Sequence, residues 1–334
     1  MTNVTLVMGS GGVGKTTVAA GVAALAARRG ASTLVITVDP ARRLADAMGV
    51  TVSNKPGPVP GIPGLNAAML DAAAAWEGIV RTHTDAPTAK RLVSNPYFRA
   101  IADRFPSGQA YAAGEEVLRH AQSGKYARIV VDTPPIDGGL AFLSAPERIR
   151  TLVAGRALRV LTGPRLPGRR FIYSVTARPA LKIADSVLGG RLLEDVAEFL
   201  LDLSAIYPGV VRQSREVEAL FASAAIVAVT TPDPGPIAEV RRVITERIGV
   251  TDDPGTVVFN RVLPADWMHA PAGVAGPLAS NLTRWATEAG RHDALRRAFA
   301  SHTGVVPLVI PWLAEAPSTP EGLADLVEAT GLVS

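Results

Sequence analysis

Residues 7–20 read VMGSGGVGKTTVAA. The apolar run Val4–Met8 leads in, glycines follow at 9, 11, 12 and 14, and Lys15, Thr16 and Thr17 open an alanine-rich helical pattern. Gly9-Ser10-Gly11-Gly12-Val13-Gly14-Lys15-Thr16 satisfies every fixed position of G-x-x-x-x-G-K-[ST]. The glycines let the backbone wrap an anion, and successive N–H groups with the helix N-terminus face it. In such a loop the lysine reaches the β- and γ-phosphates and the Thr16 hydroxyl reaches Mg²⁺. Strand, loop and helix in that order imply a site for a nucleoside triphosphate.

Outward from this stretch, short β-branched runs recur. Val4–Met8, Thr33–Val38, Asn66–Leu70, Arg128–Asp132, Ala225–Thr230, Thr256–Asn260 and Val306–Ile310 read as buried strands, apolar on consecutive residues as in a parallel sheet covered on both faces. Helical patterns separate most of them, which predicts an α/β sheet with right-handed crossovers. About 90 residues separate Asp132 from Ala225, far more than a crossover needs. That interval and a second, shorter helical one between about 72 and 125 predict an inserted helical subdomain, from about 72–125 and 140–223, within a single domain spanning 1–334. In it Leu192, Val196, Phe199, Leu200 and Leu203 share one helical face. The segment 54–63, NKPGPVPGIP, reads as a turn-rich surface connection.

The chain has 334 residues, a mean hydropathy of +0.22 and no cysteine, which excludes a disulfide framework, a thiolate zinc site and a cysteine nucleophile. The five histidines, at 83, 120, 269, 292 and 302, show no ligand spacing. No basic leader and no apolar run of about 18 residues is present, so a cytoplasmic location is expected. Aromatic residues make up 5%, and nothing resembles a nucleic-acid module.

Two aspartates end apolar strands: Asp39 before Pro40, and Asp132 before TPP. Ligands of open α/β sheets bind beyond such ends, so both are candidate carboxylates for a Mg²⁺ shell. Either also suits a helix N-cap.

These stretches together resemble the ArsA-like ATPases, the family of the arsenite-pump ATPase and of the ATPases that target tail-anchored membrane proteins. VDPARRLADAMG (38–49) resembles their switch I segment, VVDTPPIDGGLAFLSAPERI (130–149) their switch II segment, VVFNRV (257–262) the strand whose Asn reads the purine, and IPWLAEAPSTPEGL (310–323) the loop packed on adenine. The resemblance implies a mostly parallel, doubly wound P-loop NTPase sheet of the SIMIBI type, with about 7–8 strands and the helical insertion. It implies ATP and Mg²⁺ as ligands. It assigns the nucleotide to Gly9, Ser10, Gly11, Gly12, Val13, Gly14, Lys15, Thr16, Thr17, Asn260, Arg261, Pro311 and Trp312. The metal falls to Thr16, Asp39 and Asp132, and the attacking water to Asp39. It further implies a dimer, closed by nucleotide, whose helical parts move and take a client protein.

The chain departs from that pattern in three places. Ser10 stands where many relatives carry a lysine that crosses the dimer to the other subunit's phosphates; a bacterial branch also lacks it. Serine cannot neutralise charge, so a Lys-bearing paralogue in a heterodimer, a substitute cation such as Arg42 or Arg43, or weak hydrolysis must answer for it. Without cysteine, arsenite has no soft ligand. All five methionines lie outside 140–225, so the insertion lacks the residues that let a client groove repack. Seven arginines and no acid between Arg148 and Arg170 suit either a solvated face or contact with a membrane or an acidic partner. Beside ATP hydrolysis coupled to a conformational cycle, the alternatives are a weakly hydrolysing heterodimer subunit and a ParA/MinD-like positioning ATPase.

Overall fold

β1 (Asn3–Gly9) is buried at every residue after its first, and β2 (Thr33–Thr37) at every residue. Successive side chains of a strand point to opposite faces, so such strands need cover on both sides. A computed structural model describes residues 2–39, 43–154, 192–248, 253–269 and 276–332. Arg42 and the arginines at 156, 159, 165, 169 and 170 lie outside the described residues.

The other strands are β3 (Gly57–Pro58), β4 (Leu65–Met69), β5 (Arg128–Asp132), β6 (Ala225–Thr230), β7 (Thr256–Val262) and β8 (Leu308–Pro311). They form one eight-stranded sheet in the order β3-β4-β2-β5-β1-β6-β7-β8. All pairings are parallel except β3 with β4. This is the expected α/β class. Every strand read from the sequence is present. β3 is the difference: segment 54–63 pairs an edge strand and buries Val59 and Ile62, so it is not wholly a surface connection. A proline can join a sheet only at such an edge, and its turn-forming neighbours hid the strand.

Two compact units arise, one of Met1–Leu70, Val117–Ala141 and Leu220–Ser334, the other of Asp71–Glu116 and Phe142–Ala219. In the sheet unit, α1 (Lys15–Arg28) is buried along most of its length and packs on α2 (Arg43–Met48) and α12 (Pro320–Glu328). Its core includes Val7, Val35, Val130 and Val258, the alternate residues of four strands. On β7 the opposite parity carries Phe259, whose ring lies 5.3 Å from Phe299 of α11 (Pro277–Thr303), and α10 (Pro234–Ile248) packs on β6.

The second unit is helical. It holds α3 (Ala72–His83), α4 (Ala86–Ser94), α5 (Pro96–Arg104), α8 (Leu192–Leu203) and much of α6 (Pro106–Gln122), α7 (Ile136–Ala154) and α9 (Tyr207–Ser223). Asp71 and Asp85 cap α3 and α4 by accepting the amides of Ala74 and Thr88. Trp76 packs on Phe98 and Tyr111, and its indole donates to Gly108 O at 3.0 Å. Arg91 grips Asp202 with two hydrogen bonds of 2.8 and 3.0 Å. The Tyr111 hydroxyl donates to Glu115, whose carboxyl burial pushes up to about 7. No helix among the described residues is long and apolar enough to cross a membrane.

Candidate active site

Parallel pairing brings the C-terminal ends of β2, β5, β1, β6, β7 and β8 to one edge. The glycine loop leaves the middle of that edge. At Gly9 a Cβ would collide with Val229 O of β6. Gly14 takes φ 97°, ψ 22°, a left-handed conformation that starts α1, and a Cβ there would collide with the Asn260 amide. Gly11 and Gly12 are exposed, and a Cβ on either would meet no atom within 4 Å. Anchored at both ends and open in the middle, the loop has the shape of an anion cradle.

Lys15 is buried and donates from Nζ to Ser10 O at 2.8 Å. Burial holds its ammonium below the ordinary lysine range. Asp132, Asp39 and Glu239 oppose that lowering, and Arg43 adds to it. Ser10 donates its hydroxyl to Glu239 of α10. The half-buried Thr17 follows in the first turn of α1.

Asp132, at 1% exposure, ends β5. Its Oδ2 accepts from Thr16 Oγ1 at 2.8 Å and from Thr37 Oγ1 at 3.0 Å. Its Oδ1 has no hydrogen-bond partner among the described residues. Burial pushes its carboxyl above the ordinary carboxylate range, resisted by those two bonds and by Lys15. Asp39 follows β2, and its amide donates to Thr37 Oγ1 at 3.2 Å. Arg43 pairs with Asp39 at 3.1 Å, one turn along. Thr37 therefore touches both strand-end aspartates, which the sequence alone did not single out.

A Mg²⁺ ion suits this arrangement. An orphaned buried carboxylate oxygen beside a threonine hydroxyl is stabilised by a cation, and Mg²⁺ bound with phosphates needs only one or two protein ligands. Among the described residues no cluster of three or more His, Cys, Asp or Glu forms an all-protein cage.

On the other side of the loop, Asn260 Nδ2 donates to Val13 O at 2.8 Å and its Oδ1 accepts the Arg261 amide at 2.9 Å. Arg261 has φ 60°, unusual for a residue with a side chain, at an irregularity in the β7–β8 register. Trp312 follows β8, donates its amide to Val262 O at 2.8 Å, and is 44% exposed. Its ring lies 6.0 Å from that of Trp267, which lies 5.9 Å from Trp285, and Pro311 beside it is exposed.

The model of the anion-transporting ATPases matches residues 2–272 of this chain. The chain belongs to that family. As a member it is an ATP-binding ATPase. An uncharacterised protein of Streptomyces coelicolor is 32% identical over 306 residues, covering 89% of this ATPase and 72% of its own length. ATPase GET3 of Rhodotorula glutinis is 30% identical over 205 residues, 59% of this chain and 55% of that protein. An ATPase ASNA1 homologue of Entamoeba dispar is 25% identical over 272 residues, 77% of this chain and 76% of that protein.

Proposed function

We propose that this ATPase takes Mg²⁺ and ATP in the β1–α1 loop and hydrolyses the ATP, and that nucleotide state closes a dimer and drives a conformational cycle of the helical unit, which binds a client or partner protein. The observation that carries the reading is the Asp132 carboxylate, with one oxygen tied to Thr16 and the other orphaned, beside the buried Lys15 ammonium at the loop.

In this reading Lys15 leaves Ser10 O for the β- and γ-phosphates, and the exposed amides of Gly11 and Gly12 take phosphate oxygens. Thr16 and Asp132 would hold the metal, and Asp39 is assigned to its shell. When bound, Mg²⁺ neutralises phosphate charge. Asp39 orients the attacking water. Arg43, already on Asp39, supplies positive charge from within the subunit; Arg42 is its sequence neighbour in the same role. Asn260, Arg261, Pro311 and Trp312 line the base side, with Trp312 offering an exposed ring. The chain has no cysteine, so a thiolate-bound metalloid is not part of the proposal.

One observation favours a second reading. Ser10 carries no charge, and its hydroxyl is engaged by Glu239. That supports a chain that binds ATP but turns it over slowly unless paired with a paralogue bearing a lysine at this position.

The hydrolysis rate of the purified chain across protein concentrations, with Lys15→Ala as blank, separates the two. A rate per subunit that climbs with concentration supports a self-sufficient dimer. A rate equal to the blank, with ATP still bound, sinks that reading and leaves the heterodimer.

A further inference from the structure

We infer that Glu239 is a positioning residue of the nucleotide site: through Ser10 it fixes the carbonyl on which Lys15 rests, and so sets how tightly the phosphates are taken. The inference rests on the reading of the loop as the ATP site.

Ser10 is used twice. Its carbonyl accepts the Lys15 ammonium at 2.8 Å, and its hydroxyl donates to Glu239, 229 residues along the chain. The same β6–α10 segment supplies Val229, whose carbonyl presses on Gly9. Gly9 and Ser10 are thus held from one flank, while Asn260 of β7 holds Val13 further along the loop. Between these anchors Gly11 and Gly12 are open. A loop whose amides must face an anion binds it better when its ends are fixed beforehand, because less freedom is lost on binding.

Glu239 acts in two opposed ways. Its hydrogen bond preorganises the loop. Its charge, close enough to be felt at Lys15, repels the phosphates. Glutamine keeps an acceptor and removes the charge, whereas alanine removes both. The difference between those two variants isolates the hydrogen bond.

The test is calorimetric titration of the full chain with a non-hydrolysable ATP analogue and Mg²⁺. Wild type against Lys15→Ala comes first; equal binding there defeats the ATP-site reading itself, whatever Glu239 does. Given binding by the wild type, E239A binds about tenfold more weakly than E239Q, and S10A about tenfold more weakly than the wild type, each by the size of one hydrogen bond. The S10A/E239A double variant is no weaker than either single variant, because both remove the same bond. Ser10→Thr, which keeps the hydroxyl, restores affinity. Thermal melting of each variant without nucleotide identifies any that fails to fold, and the S10A and S10T pair then carries the test. Equal affinities for E239A and E239Q, or losses that multiply in the double variant, overturn the inference.

Discussion

The glycine loop has two unlike flanks. Toward β5 and β2 stand Asp132, Asp39, Thr37 and Arg43, charged groups and a hydroxyl bonded to one another. Toward β6, β7 and β8 stand Glu239, Asn260 and Trp312. The first two bond the loop itself, and the third offers an exposed ring. The first flank holds charge that can change sides during a reaction. The second, Glu239's charge apart, holds the loop in place. If that division is right, substitutions toward β2 and β5 lower turnover, and those toward β7 and β8 lower affinity.

The largest effect is expected at the loop, which both flanks serve. Lys15→Ala lowers the hydrolysis rate on the order of 10³-fold, since a preorganised cation facing transferred phosphate is of that worth. Next is Asp39→Asn, which lowers kcat roughly 10²-fold as the loss of the group proposed to orient water, with nucleotide Kd within a fewfold of wild type. A change in Kd alone would break the comparison at its centre. Arg43→Ala lowers kcat about tenfold. Here the discriminating result is an unchanged kcat, which would mean that Arg43 serves only its surface pair with Asp39 and that the missing cation comes from another subunit.

Asn260→Ala tests the opposite flank. It removes a buried hydrogen bond to Val13 O and opens space beside Gly14. Nucleotide Kd rises about tenfold and kcat stays, as read by calorimetry beside steady-state rates. Loss of kcat with unchanged Kd would place Asn260 among the chemical groups and sharpen the division differently.

The two flanks were not equally legible. Asp39 and Asp132 end apolar runs and precede prolines, so local pattern marks them. The glycine loop reads from its own residues because its constraints are local: a left-handed Gly14, a close approach at Gly9. Thr37 and Glu239 could not be read this way. Thr37 is one more β-branched residue of a strand until β5 brings Asp132 beside it, and Glu239 is one polar residue of an amphipathic helix until it meets Ser10. The seven strands with apolar runs were visible, whereas β3 carries glycine and proline and exists only through its pairing with β4. In the helical unit, helical periodicity is plain and puts Tyr111 and Glu115 one turn apart on α6, but the burial that pushes the Glu115 carboxyl up follows from packing, which periodicity does not encode.

The smallest effect on turnover is expected at His292, and its sign bears on how the second flank is held. The Leu263 amide, just past β7, donates to His292 Nδ1 at 3.1 Å, so the ring must be neutral there with its proton on Nε2, 3.3 Å from Glu288. Burial lowers its pKa, Glu288 and Asp233 oppose that, and Arg291 adds to it; the net shift is downward. A histidine with a depressed folded pKa is protonated first in the unfolded chain. Its contribution to stability is therefore full above the unfolded value of about 6.5 and is lost as pH falls through that value toward the folded one. From pH 7.5 to 5.5 the His292 contribution lowers urea midpoints, while Glu115, raised to about 7, contributes the opposite slope, so the readout is the difference between wild type and His292→Gln, in which the His292 part is gone. The same variant at pH 7.5 shows the worth of the bond: an unpartnered buried amide costs about 1–3 kcal/mol. A slope that His292→Gln leaves intact would mean that other groups set it and that the Leu263 bond does not govern stability in this range.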